Sequence, residues 1–137
     1  MQKLKQYALI FLHYLLVIFM INAGIQHFLK VDFYMPFVPR FLPFTEFFVY
    51  FSAVIEIILG VLLAARFNHI RPYGKTIATW SALAIFMMFW VFLPIHISDV
   101  FMEDPAIGTH KLALIRVPIQ FVFIGWAWVV YRFLSNR

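Results

Sequence analysis

Four apolar runs, each of about 22 residues, constrain this chain more than any other feature. They cover roughly Tyr7–Phe28, Phe44–Ala65, Thr76–Ile97 and Leu112–Phe133. At 1.5 Å of rise per residue, such a run is roughly 33 Å long, enough to cross a hydrocarbon layer of about 30 Å. Lipid offers no partner to a backbone amide, so segments of this length must be helices. Strands of a transmembrane barrel would be about 10 residues with alternating polarity, which these runs are not. The expectation is an all-α fold, an integral membrane four-helix bundle forming a single transmembrane domain over residues 1–137. With 64% hydrophobic and 12% charged residues, a soluble domain is not expected. The opening "MQKLK" resembles the charged start of a signal peptide, but the run that follows is too long and leads to "NAGIQHF" without a small-x-small cleavage site. A retained first helix is expected.

Basic residues orient the bundle. Lys3, Lys5, Arg66, Arg71, Lys75, Arg132 and Arg137 fall on one side, with no Asp or Glu. Lys30, Arg40, Lys111 and Arg116 fall on the other, against Asp32, Glu46, Asp99, Glu103 and Asp104. Both termini are therefore expected in the cytoplasm. The pI of about 9.8 then reflects topology and attraction to membrane lipid, and no nucleic-acid partner is expected. The chain has no cysteine, so it has no thiol chemistry of its own.

The connections carry different signals. "RFNHIRPYGK" is short and basic, which makes the second and third spans antiparallel neighbours, with Pro72 and Gly74 as loop punctuation. The proline- and aromatic-rich outer loop "KVDFYMPFVPRFLPF" holds Pro36, Pro39 and Pro43, which prevent a regular helix, yet it is too apolar for a free aqueous loop. Two readings stay open: an interfacial segment with rings at headgroup level, or a cover folded over a cavity. In "HISDVFMEDPAIGTH", Pro105 and Gly108 predict a turn. Pro118 either interrupts a fourth helix that begins near Lys111 or occupies the first turn of one that begins near Val117.

Glu56 stands near the middle of "VYFSAVIEIILGVLL". A carboxylate at mid-helix costs about 2.5–3.5 kcal/mol on insertion scales, so it should face the bundle interior. Ser52, Glu56, Gly60 and Ala64 recur every four residues as a small-residue packing stripe. Counted from the outer helix ends, Glu56 lies about 18 Å down, Gln120 about 13 Å and Arg116 about 7 Å. Gln120 could approach Glu56 directly, and a Glu56–Arg116 pair would offset the insertion cost. Asn22 and Gln26, four apart, His27 beside them, and His96 with Asp99 at the outer mouth complete a set on one leaflet. The candidate ligand-binding residues are Glu56, Arg116, Gln120, His27, His96, Asn22 and Gln26. The competing reading makes Glu56 and Arg116 an interhelical staple, the histidines helix caps and the amides interhelical glue. No metal site is expected, because Glu56 and the histidines differ in depth. His13 lies in the inner half and is read as structural.

The stretches "NAGIQHF", "VPRFLP", "SAVIEIILGVLLAARF", "LPIHISDVFM" and "LIRVPIQFVFIGWAW" resemble the DoxX-like family of small four-helix membrane proteins. His96 departs from it, standing where many relatives are expected to carry asparagine. The resemblance implies a multi-pass protein of the cell inner membrane with cytoplasmic termini, in a setting of redox accessory or membrane chaperone work.

Two functions follow. The first is an accessory subunit that binds a quinone-like or lipid-like molecule in an outward-opening polar pocket, with His27 and His96 at its entrance. Quinone is then the only cofactor implied, none is covalently bound, and the partner is a redox enzyme subunit. The alternative is a non-catalytic assembly factor recognising a client protein through the outer loop. A homo-oligomer is compatible with both. Solute or proton transport is the weakest reading, since four helices without paired repeats leave little room for a pathway.

Overall fold

A computed structural model describes residues 1–66 and 72–136. Arg137 and residues 67–71, half of the "RFNHIRPYGK" connection and including Arg71, lie outside the described residues. Four long helices, α1 (Gln2–Leu29), α3 (Thr45–Ala64), α4 (Gly74–Val100) and α5 (His110–Ser135), are each long and apolar enough to cross a membrane. A short helix α2 (Val31–Tyr34) and a 3₁₀ turn (Met35–Phe37) occupy the first connection at the end of the bundle opposite both termini, hereafter the outer end. Gly74 is the first residue of α4 instead of a loop residue. α1 packs broadly on α3 and α4 on α5, with narrower α3–α4 and α1–α5 contacts closing the bundle.

The core is mostly apolar, as in a soluble domain, but here the exterior is apolar too and the interior also holds polar groups. His13, Glu56, Ser81, Asp99 and Gln120 are buried, while Ile18, Trp80 and Val122 are each about two-thirds exposed. Large side chains on the outside and polar ones within are the arrangement that lipid selects. The buried line of α5, Ala113–Gln120–Ala127–Leu134, repeats every seven residues, the spacing of left-handed helix packing. On α3 the buried line is Val49, Ala53, Glu56, Gly60 and Leu63. Ser52 and Ala64 are only half-buried, so the stripe follows alternating steps of four and three instead of four throughout.

Side-chain donors tie helices together across the bundle. Trp126 Nε1 donates to the Leu12 carbonyl at 3.0 Å, and Ser81 Oγ donates to the Leu59 carbonyl at 2.6 Å. A Ser81→Ala variant is expected to lose roughly 0.6 kcal/mol, the average for such bonds in membrane bundles, as a small drop in unfolding temperature in detergent.

The helix ends resolve what the prolines left open. α5 begins at His110, its amino end capped by Thr109 Oγ1 accepting from the Leu112 amide at 3.2 Å. Pro118 is therefore interior and removes the amide that would bond the Leu114 carbonyl. α4 likewise continues through Pro94 to Val100. Pro105 and Gly108 form the expected turn, the Gly108 amide donating to the Pro105 carbonyl at 2.9 Å, with Gly108 at φ 107°.

Two glycines set the register of α1 on α3. Gly24 lies against Ala53 and Ile57, and Gly60 against Met20 and Ile21. The Phe28 ring stacks on Tyr50 at 5.3 Å, which continues the same register. α1 therefore ends level with about Tyr50, and α3 projects past it by residues 45–50, roughly 9 Å at 1.5 Å per residue. The first outer connection folds into that step.

Candidate functional site

Glu56 is 3% exposed, and its partner is His27. Nδ1 of His27 stands 3.2 Å from Glu56 Oε2 and 2.8 Å from the Ala23 carbonyl. A Glu56–Arg116 pair does not form. α3 and α5 stand diagonally across the bundle, each packed on α1 and α4 instead of on each other; the depth count also set α1 flush with α3, whereas α3 projects beyond it. Side chains also lean toward the amino end of their helix. His27 on α1 thus leans inward and Glu56 on antiparallel α3 leans outward, and they meet.

Arg116 serves a different group. Its Nη2 donates to His96 Nε2 at 2.9 Å, and Nη1 lies 3.8 Å from Asp99 Oδ2. Asp99 is 2% exposed and also accepts from the Ala106 and Ile107 amides, which folds the second outer connection down onto α4. Gln120 does not reach Glu56. It donates to the Phe89 carbonyl at 2.6 Å and so ties α5 to α4.

Two aromatic residues of the first outer connection cover these groups. Tyr34 stacks on the His27 ring with centroids 3.8 Å apart, and the Arg116 guanidinium lies 4.3 Å from the centre of the Phe37 ring. Burial, with help from Glu56 and against the pull of Arg116, pushes the Tyr34 phenol above its ordinary value. It therefore stays a neutral donor at physiological pH. Neither Tyr34 nor Asp99 was among the candidates. Asp99 shares a helix face with His96 three residues away, a signal available in the sequence. Tyr34 became recognisable only once the connection folded back.

Bond directions assign the protons. A carbonyl can only accept, so His27 Nδ1 carries a hydrogen and gives it to Ala23. A guanidinium can only donate, so His96 Nε2 accepts and the ring hydrogen sits on Nδ1. Within this cluster, His96 Nδ1 is buried without a hydrogen-bond partner, and Glu56 Oε2 and Arg116 Nη1 have only their ion pairs with His27 and Asp99. They comprise one acceptor and two donors.

The chain belongs to the DUF8561 family. That family's model, described as a domain of unknown function (DUF8561), matches residues 16–131. Neither the curated proteins nor the solved structures contain a match to it. The span shared with DUF8561 includes every residue of the polar cluster.

Not all of the expected set converges in this DUF8561 chain. Asn22 is exposed and faces away from the bundle, because α1 buries His13, Leu16, Val17, Met20 and Gly24 on the opposite side. Gln26 is half-buried and joins none of the cluster's contacts. The hollows also lie higher than expected. One of about 310 Å³ opens between the two outer connections, among Met35, Val38, Arg40, Thr45, Met102 and Asp104. A smaller one of about 50 Å³ runs under it past Phe37, Ile95 and Ser98 to Asp99. Glu56, Arg116 and Gln120 line neither; Tyr34 stacks on His27 beside Glu56, Phe37 lies against Arg116, and Gln120 is buried against α4.

Proposed function

We propose that this DUF8561 protein binds the polar head of a quinone-like or lipid-like molecule beneath the Tyr34–Phe37 cover, as an accessory subunit of a redox partner. The observation that carries this reading is unfilled hydrogen-bonding capacity: His96 Nδ1 has no partner, and Glu56 Oε2 and Arg116 Nη1 keep only ion pairs at 3.2 and 3.8 Å. Leaving a buried polar group unsatisfied costs about 1–3 kcal/mol. A ligand oxygen that accepts from His96 and Arg116, together with a hydroxyl that donates to Glu56, would satisfy all three. Quinones and quinols offer such groups on a flat, apolar body suited to aromatic neighbours.

The remaining parts of the proposal follow from composition and resemblance. The basic residues Lys3, Lys5, Arg66, Lys75 and Arg132 at one end favour cytoplasmic termini. The DoxX-like resemblance supports the inner membrane and a redox setting. No cofactor-binding motif is present in the sequence, so electrons would come from the partner. His27 and Glu56 are suited to proton transfer at the ligand.

The test is to purify the protein in mild detergent and identify co-purifying small molecules by mass spectrometry. Short-chain ubiquinone and menaquinone analogues are then titrated by quenching of tryptophan fluorescence. Glu56→Gln, which keeps shape but removes the charge, is expected to weaken binding about tenfold, equivalent to a lost charged hydrogen bond. A wild-type protein that carries nothing and a variant with unaltered affinity would together rule the reading out.

The assembly-factor reading rests on Phe41 and Phe44, which are 84% and 80% exposed at the outer end. Phe44 is held there in a left-handed conformation at φ 58°. Phe37, by contrast, belongs to the cover. Client capture would therefore be lost in Phe41→Ala and kept in Glu56→Gln.

A further inference from the structure

The outward face of α1 carries a second pattern, independent of the polar cluster. Phe11, Leu15, Ile18, Asn22, Ile25 and Leu29 are spaced alternately four and three residues apart. All six are exposed. This is the 3.5-residue period of a helix seam that packs against another helix with a left-handed crossing. The remaining outward helix faces are apolar or carry polar groups only near their ends. Among the described residues, Asn22 is the exposed Asn, Gln or charged side chain that lies away from the helix ends.

Its depth makes it costly there. The register set by Gly24 and Gly60 puts Asn22 level with about Ile58, thirteen residues from the start of α3. That is roughly 20 Å below the outer end of α3, inside a hydrocarbon layer of about 30 Å. A carboxamide facing acyl chains has two donors and an acceptor with nothing to bond.

We propose that a second copy of this chain covers the face, pairing through α1 about a two-fold axis along the membrane normal. Two copies inserted in the same orientation present their α1 helices in parallel, so position 22 of one meets position 22 of the other at equal depth. A carboxamide both donates and accepts, and it is therefore complementary to itself across a two-fold axis. A single Asn in an otherwise apolar seam fixes register and partner number. A different membrane helix would need a polar group of its own at this depth, whereas an identical chain supplies one by symmetry.

The absence of native cysteines makes the test direct. Single Ile18→Cys and Ile25→Cys variants in liposomes are expected to form disulfide-linked dimers on mild oxidation. Val122→Cys, on the outward face of α5, serves as the control and is expected to remain monomeric. Energy transfer between labelled copies, followed as lipid dilutes them, gives the association constant. Asn22→Leu is expected to lower it by about three- to thirtyfold, and Asn22→Gln to restore most of the loss. Because Asn22 is exposed, the folded yield should not change. Crosslinking no greater along α1 than at Val122, or an Asn22→Leu protein that associates as tightly as wild type, overturns the proposal.

Discussion

Asp99→Ala is expected to lower unfolding free energy by about 3–5 kcal/mol, the range for breaking a buried ion pair by removing one partner. Asp99 is 2% exposed and is the acceptor on which three groups converge. Its loss leaves the Arg116 guanidinium with only His96, and it strips the Ala106 and Ile107 amides of their acceptor. Both outer connections should loosen, because Arg116 also carries the Phe37 ring. Asp99→Asn keeps one acceptor oxygen and is expected to fall between. Denaturant unfolding in mixed micelles measures the first effect. Hydrogen exchange at Ala106 and Ile107 measures the second, with protection lost in the alanine variant. Unchanged exchange there would show that Asp99 does not hold the connection.

The spans were legible because lipid imposes one rule on every stretch of backbone, and 22 apolar residues can satisfy it only as a helix. Their ends were less so. α4 runs past the expected Ile97 to Val100, where Asp99 is buried and accepts from the connection that follows. The inward position of Glu56 was legible for the same reason as the spans, since the cost of exposing a carboxylate to lipid leaves one option. Its partner was not. Choosing between Arg116 and His27 requires knowing that α3 packs on α1 and not on α5, and how far α3 is set out beyond α1, which glycine contacts between the helices decide.

Asn22 illustrates the opposite error. Grouping it with Gln26 and His27 assumed that polar residues near one another in sequence share a site. Yet a helix turns by about 100° per residue, so five positions from Asn22 to His27 carry the chain to another face. The apolar residues of α1 are too uniform to reveal which face is buried, and mean hydropathy is high all round. The choice is made by shape instead, chiefly by Gly24.

Gly24→Ala should therefore be among the most damaging changes in the molecule, although it adds a single methyl group. The new Cβ would stand 2.6 Å from the Ala53 carbonyl oxygen and 2.6 Å from Ile57 Cγ1. Ile57 can rotate away, but the carbonyl belongs to the backbone of α3 and cannot. The helices must separate, at a cost near or above the upper end of the roughly 1–3 kcal/mol typical of overpacking. Separation also draws His27 from Glu56, so the damage extends to the polar cluster one turn away. Gly60→Ala provides the graded comparison, since its closest atom, at 2.8 Å, is the movable Ile21 Cγ1. Gly125→Ala has open space around it and should gain up to about 1 kcal/mol from helix propensity alone. Unfolding measured on all three should rank Gly24 as most harmful, Gly60 next and Gly125 as neutral or stabilising. If Gly24→Ala instead proved harmless, the α1–α3 contact could not be what positions the carboxylate.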